Sequence, residues 1–281
     1  MPQINKNNVT LNKLTQLNIV TRSSALALWQ TNYFISLFSA IYPDIMVNIN
    51  PITTKGDKIL DTSLDKIGGK GLFIKELEVE LLNNRADIAV HSLKDVSTNL
   101  NSEFLILPFS DRLYSADVLI CPKDSNIKSL DDLKEGAIIG TSSSRRIAYL
   151  KKHYPKLQIK LLRGNINTRI AKLDKQEYDA IILAQAGVMR LGMQDRITQV
   201  LDANIFIPAI AQGVLALEFL SHRDELYQLL KVMLNQDVLI TSTLERMVGK
   251  LLDSNCSTPL AVYAQINNSP YVGGNNITRN I

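Results

Sequence analysis

The chain has 281 residues, 46% hydrophobic and 21% charged, which suits a globular protein of two or three domains and excludes disordered and fibrous classes. Its net charge of +4 does not announce a polyanion, so no nucleic-acid partner is expected, and no apolar run reaches the ~20 residues that span a bilayer, so no membrane partner is expected either. The start has no apolar signal core, and Cys121 and Cys256 form no CxxC and no metal-ligand spacing against the three histidines; the expectation is a cytoplasmic monomer with free thiols and no metal.

Residues 1–16 are rich in Asn, Lys and Gln without periodicity and read as a disordered extension. A short strand at 17–20 runs into the polar turn Thr21-Arg22-Ser23-Ser24 and a helix over 25–41, with Leu26, Trp29, Tyr33 and Leu37 on one face. A strand at 47–52 leaves through the polar loop 53–57. The glycine-dense loop 68–71 precedes an amphipathic helix over 72–82 with Phe73, Leu77 and Leu81 on its apolar side. A strand at 87–90 then hands over to His91-Ser92-Leu93-Lys94-Asp95. A buried-type strand at 118–121 and a short capped helix at 127–133 follow.

The middle third repeats strand, polar turn and helix three times, opening at 138–140, 159–162 and 180–184, with Gln185-Ala186-Gly187 as the third turn. Such alternation implies parallel sheets, in which ligands bind beyond the carboxyl ends of the strands. An apolar run over 208–218 holds Gln212-Gly213, helices are expected over 224–234 and 238–251, and 260–265 is strand-like. Residues 267–281, Gly- and Asn-rich, have too little apolar content to close a domain alone.

Arg22, Lys66, Lys70, Lys94, Arg145, Arg146, Arg163, Arg169 and Arg190 lie in or beside the polar turns. If the strand ends converge they line one cleft, and its ligand carries several carboxylates or phosphates; the alternative is a set of solvated surface charges. Thr141-Ser142-Ser143-Ser144 suits either an anion site or a plain helix cap. Asp95 would face the cleft, where a carboxylate stabilises a cationic ring, shuttles protons, or pairs with a neighbouring arginine. His91 reads as packing, Cys121 as core, and Cys256, in a small-residue polar loop, as an accessible nucleophile or attachment point.

Several blocks together resemble the porphobilinogen deaminase family. They are Thr21-Arg22-Ser23-Ser24-Ala25-Leu26-Ala27, Ile67-Gly68-Gly69-Lys70-Gly71-Leu72-Phe73, Asp87-Ile88-Ala89-Val90-His91-Ser92-Leu93-Lys94-Asp95-Val96, Leu162-Arg163-Gly164-Asn165 and Arg190-Leu191-Gly192. The resemblance runs from about residue 17 to 265. It implies an α/β fold of two periplasmic-binding-protein-like, doubly wound and hinged domains with a short α+β C-terminal domain. The expected divisions are 17–113 with 209–234, then 114–208, then 235–281.

The implied activity is hydroxymethylbilane synthesis, the stepwise condensation of four porphobilinogen molecules with release of ammonia. The alternatives are a degenerate inactive member or a solute-binding or sensing module of the same fold. The implied cofactor is dipyrromethane, held by a thioether to Cys256, with Asp95 as catalytic carboxylate. Lys94, Ser143, Arg145, Arg146 and Arg163 would bind the cofactor, and Arg22, Ser24, Arg169, Arg190 and Gln212 the substrate. A mobile loop would carry Lys66, Lys70 and Phe73. The chain departs from the family pattern at Ser254-Asn255 before Cys256, at Leu220 where an arginine is usual, and in Ser110-Asp111-Arg112-Leu113-Tyr114-Ser115; the third domain is expected to stop early.

Overall fold

Short apolar strands alternating with amphipathic helices assemble into two sheets, seen in a computed structural model that describes residues 14–54, 74–254 and 258–266. The expectations for Lys66, Lys70, Phe73 and Cys256, and for 1–13 and 267–281, lie outside these residues.

The first sheet has the order β2-β1-β3-β10-β4, built from β1 (Gln16–Arg22), β2 (Met46–Ile52), β3 (Ile88–Ser92), β4 (Phe104–Phe109) and β10 (Leu215–Leu220). β1 is parallel to β2 and β3, and β10 runs antiparallel between β3 and β4. The second has the order β7-β6-β8-β5-β9, from β5 (Asp117–Ile120), β6 (Ile138–Gly140), β7 (Gln158–Lys160), β8 (Ala180–Ala184) and β9 (Gln199–Val200). Here β6 is parallel to β7 and β8, and β5 antiparallel to β8 and β9.

The helices are α1 (Ala25–Ile41), α2 (Lys75–Leu82), α3 (Ser144–His153), α4 (Ile166–Asp174), α5 (Gln185–Arg190), α6 (Asp224–Leu230) and α7 (Gln236–Leu251). Phe34 and Phe38 of α1 pack with Phe109, Leu217 and Phe219 on one face of the first sheet, and Leu77 and Leu81 of α2 with Val20 and Ala89 on the other. The second sheet is buried on both faces as well, Ile181 and Leu183 facing one cluster and Ala180 and Ile182 the other. Burial on both sides explains why these strands read as continuous apolar runs.

Some elements differ from the sequence reading. α1 buries Ala27, Gln30, Thr31, Phe34 and Phe38, not the expected face: Trp29 is 37% exposed and stacks on Tyr33. The i, i+4 phenylalanine pair turns its own stripe to the core. β4 was not anticipated; Pro108 is tolerated because β4 is an edge strand. Residues 127–133 hold only a 3-10 turn, Leu130–Asp132, with a capping box at Ser129. The third polar turn is instead the start of α5.

Among the described residues beyond 234 there is one α-helix, α7, and no strand; residues 260–265 are irregular. α7 leaves Ile240, Leu244, Met247 and Leu251 exposed. No helix of the described residues is long and apolar enough to cross a membrane, and no group of three His, Cys, Asp or Glu side chains is placed to hold a metal.

Candidate active site

The carboxyl ends of β1 and β3 face those of β6 and β8 across a cleft of about 460 Å³. Arg22 ends β1, and Ser24 caps α1, its hydroxyl accepting from the Ala27 N–H at 3.4 Å. After β3 the chain makes a 3-10 turn, Leu93–Asp95. Leu93 is fully buried and its N–H donates to Val214 O at 3.0 Å, so the turn is pinned from beneath while Lys94 and Asp95 line the cleft. The opposite wall supplies Ser142, Arg146, Arg163, Asn165, Arg169 and Arg190, and the crossing segment Gln212 and Gly213. Ser143 and Arg145 are not among the lining residues.

Six cations therefore line the cleft, Arg22, Lys94, Arg146, Arg163, Arg169 and Arg190, against one carboxylate, Asp95. Asp95 makes no side-chain hydrogen bond among the described residues; the ion-pair alternative for it is not what the geometry shows. Solvent reaches Lys94 through the open mouth, yet surrounding protein depresses its amine pKa, an effect Asp95 opposes and Arg146 reinforces. Burial also lowers Arg169 to about 10, with repulsion from Arg146 and Arg163 adding to it and Asp95 opposing. Arg190 falls to about 10 by burial. Both are tied to backbone carbonyls, Arg169 Nε to Gly164 O at 2.7 Å and Arg190 Nη2 to Gly213 O at 2.7 Å.

Arg145 and Arg146 behave differently. Arg145 Nη2 donates to Asp117 Oδ2 at 2.5 Å and Arg146 Nη2 to Asp117 Oδ1 at 2.8 Å, and Gln212 Nε2 donates to the same Oδ1 at 2.9 Å. Burial pushes the fully enclosed Asp117 carboxyl upward, but Arg146 and Arg145 outweigh it and hold it at about 2. Arg145 also donates to Ile207 O at 2.7 Å and lies over the Phe206 ring. Sequence reading did not single out Asp117, although an acid opening an apolar strand is a sign that cations await it.

Two departures from the family pattern can now be located. Leu220 is in the core with Val20, Leu77 and Phe104, at the end of β10 away from Leu215, which pairs with Ser92 beside the cleft. Arg112 is intact and functional in a structural sense: it forks onto Glu245 of α7 at 2.6 and 3.3 Å and donates to Gln212 O at 2.9 Å. His91 is buried on Glu218 at 2.7 Å, which agrees with its reading as packing.

A ligand rich in carboxylates fits this donor set. The buried donor Arg146 Nε and the buried acceptor Gln212 Oε1 have no protein partner, so the cleft calls for an anion at the first and an N–H or O–H donor at the second. A dipyrromethane meets both conditions, its acetate and propionate groups as anionic acceptors and its pyrrole N–H groups as donors. Ser254, two residues before Cys256, lies against the segment following Asp95, Thr98 Oγ1 donating to its carbonyl at 3.4 Å.

The family model "Porphobilinogen deaminase, dipyromethane cofactor binding domain" matches residues 17–228. The porphobilinogen deaminase of Neisseria meningitidis serogroup A is 44% identical over 248 residues, 88% of this chain and 79% of that protein. The chloroplastic porphobilinogen deaminase of Euglena gracilis is 44% identical over 254 residues, 89% of this chain; the chain spans about half of that relative, 53%. A crystal structure of the Bordetella pertussis BvgS periplasmic VFT2 domain aligns with a TM-score of 0.46 and 15% identity, over 85% of this chain and 92% of that one. From the matched span and the identities, the chain belongs to the porphobilinogen deaminase family, transferases that carry a dipyrromethane cofactor.

Proposed function

We propose that the chain is a hydroxymethylbilane synthase, which joins four porphobilinogen molecules, with one water, into the linear tetrapyrrole and releases four ammonia molecules. The observation that carries this reading is the cleft's six cations around one unpartnered carboxylate. A tetrapyrrole brings two carboxylates per ring, so the arginines bind and orient the chain at each length. The dipyrromethane group, when attached to Cys256, supplies the pyrrole carbon that is extended. Asp95 stands where it can stabilise positive charge on the substrate's pyrrole nitrogen as ammonia leaves, and can accept the proton lost when aromaticity is restored. Lys94 stands beside Asp95 in the lining and places positive charge next to its carboxylate.

Lys94, Arg146 and Arg163 are assigned to the cofactor, and Arg22, Ser24, Arg169, Arg190 and Gln212 to the substrate. Ser143 and Arg145, outside the lining, are assigned to shaping the turn that carries Arg146. The division 17–113 with 209–234, 114–208 and 235–281, a monomeric state and a cytoplasmic location complete the reading. Whole-protein mass spectrometry should reveal a dipyrromethane-sized adduct that disappears in Cys256→Ser. Asp95→Ala should fold normally and release ammonia from porphobilinogen about 100- to 10,000-fold more slowly. An unmodifiable Cys256 in folded protein, or wild-type rates in Asp95→Ala, would refute the proposal.

A further inference from the structure

Helix α7 carries a charged side chain that the cleft does not use. The Arg246 guanidinium meets the segment after the Leu93–Asp95 turn, Nη1 donating to Val96 O at 3.0 Å and Nη2 to Ser97 O at 2.6 Å. These are the two carbonyls that immediately follow Asp95. On its other side the Asp95 turn is held by Leu93, through its bond to Val214 O. Asp95 is thus on a short turn gripped at both ends, and one grip comes from the helix that leads to Cys256.

The end of α7 reinforces the contact. Asn99 Nδ2 donates to Asp253 Oδ1 at 3.2 Å, and Thr98 Oγ1 to Ser254 O at 3.4 Å. A Cβ at Gly249 would lie 2.9 Å from Thr98 Cγ2, so helix and segment approach closely. A plain helix-to-loop contact has no need of a charge here. Burial lowers the Arg246 pKa to about 10, opposed by Glu218, so holding a cation against two neutral carbonyls is costly. What the fork gains is control of two consecutive peptide planes.

We propose that Arg246 is a positioning residue: by clamping the Val96 and Ser97 carbonyls, it sets where the Asp95 carboxylate stands relative to the segment that runs from α7 to Cys256. This rests on the reading of Asp95 as the catalytic carboxylate. Arg246 itself does not line the cleft.

The test compares Arg246→Gln and Arg246→Lys in the full chain by three readouts: amide hydrogen exchange of the 93–99 peptide without substrate, the mass of the Cys256 adduct, and the kinetics of ammonia release. In Arg246→Gln, exchange of 93–99 should quicken while the two sheets keep wild-type protection, and the adduct should remain. Its kcat should fall about 10- to 100-fold with KM nearly unchanged, as a displaced catalytic group produces. Arg246→Lys keeps the charge but not the fork, and should recover part of kcat and of the protection.

The proposal is overturned by an unchanged kcat in loaded Arg246→Gln, by exchange rising throughout the molecule in proportion to the lost rate, or by a lysine no better than glutamine. If Arg246→Gln does not fold, Arg246→Lys decides alone: intermediate kcat and exchange support the clamp, and wild-type values overturn it. If the wild-type chain releases no ammonia, the functional reading fails, and an unchanged 93–99 exchange in Arg246→Gln separately overturns the clamp.

Discussion

Two groups of arginines stand behind the strand ends of the second sheet, and they are neutralised in different ways. Arg145 and Arg146 share one buried carboxylate, Asp117, whereas among the described residues Arg169 and Arg190 hydrogen-bond to carbonyl oxygens, Arg169 with Asp95 acting on it without an ion pair and Arg190 over the Trp29 ring. The first group has its charge countered by the fold and shapes the wall, although each Nε is buried without a protein partner. The second forms no ion pair among the described residues, which makes it the part that gains most when an anionic ligand arrives. A cationic cleft is therefore not a uniform surface: part of its charge belongs to the architecture and part to the substrate.

The sharpest way to break this distinction is Asp117→Ala, which leaves two buried guanidinium groups facing each other. It should cost about 3–5 kcal/mol of stability, read from urea unfolding. Acid should do the same reversibly. Arg146 and Arg145 hold the Asp117 carboxyl down at about 2, below the ordinary aspartate value of about 3.9, so its stabilisation is present above that ordinary value and is lost as pH falls towards 2. The loss amounts to about 2.5 kcal/mol, and urea midpoints followed down the acid limb should show it in wild type and not in Asp117→Ala.

Arg169→Gln attacks the other group. It should raise KM for porphobilinogen or weaken retention of the growing chain about 10- to 100-fold while leaving stability equal or improved. Within the first group, Arg145→Gln should lower stability and leave ligand retention within about two-fold, whereas Arg146→Gln should lower both, because only Arg146 reaches the cleft. The smallest effect belongs to Gly213→Ala. Gly213 has φ +91, and a Cβ there would sit 2.7 Å from Leu113 O, so about 1–3 kcal/mol of stability should be lost, with Arg190 losing its acceptor geometry as well.

Much of the cleft was readable because parallel β-α units put their polar turns at one edge. That rule located Lys94, Asp95, Arg146, Arg163 and Arg190 from sequence alone. It could not distinguish Arg145 from its neighbour, since adjacent residues at a helix start point in different directions. Nor did it find Asp117, whose partners lie 28, 29 and 95 residues away. The missed β4 has a physical cause too: Pro108 argues against a strand until the strand is known to be an edge. Leu220, where the family pattern has an arginine, is core in this chain, packed with Val20, Leu77 and Phe104.

The position of β10 has a consequence for how the chain comes into being. Among the described residues β4 pairs only with β10, and that partner strand is absent until residues 215–220 have left the ribosome. All five strands of the second sheet lie earlier, between residues 117 and 200. The part of the molecule made first is thus completed last, and the half that follows it can fold while the N-terminal sheet still waits with an open edge.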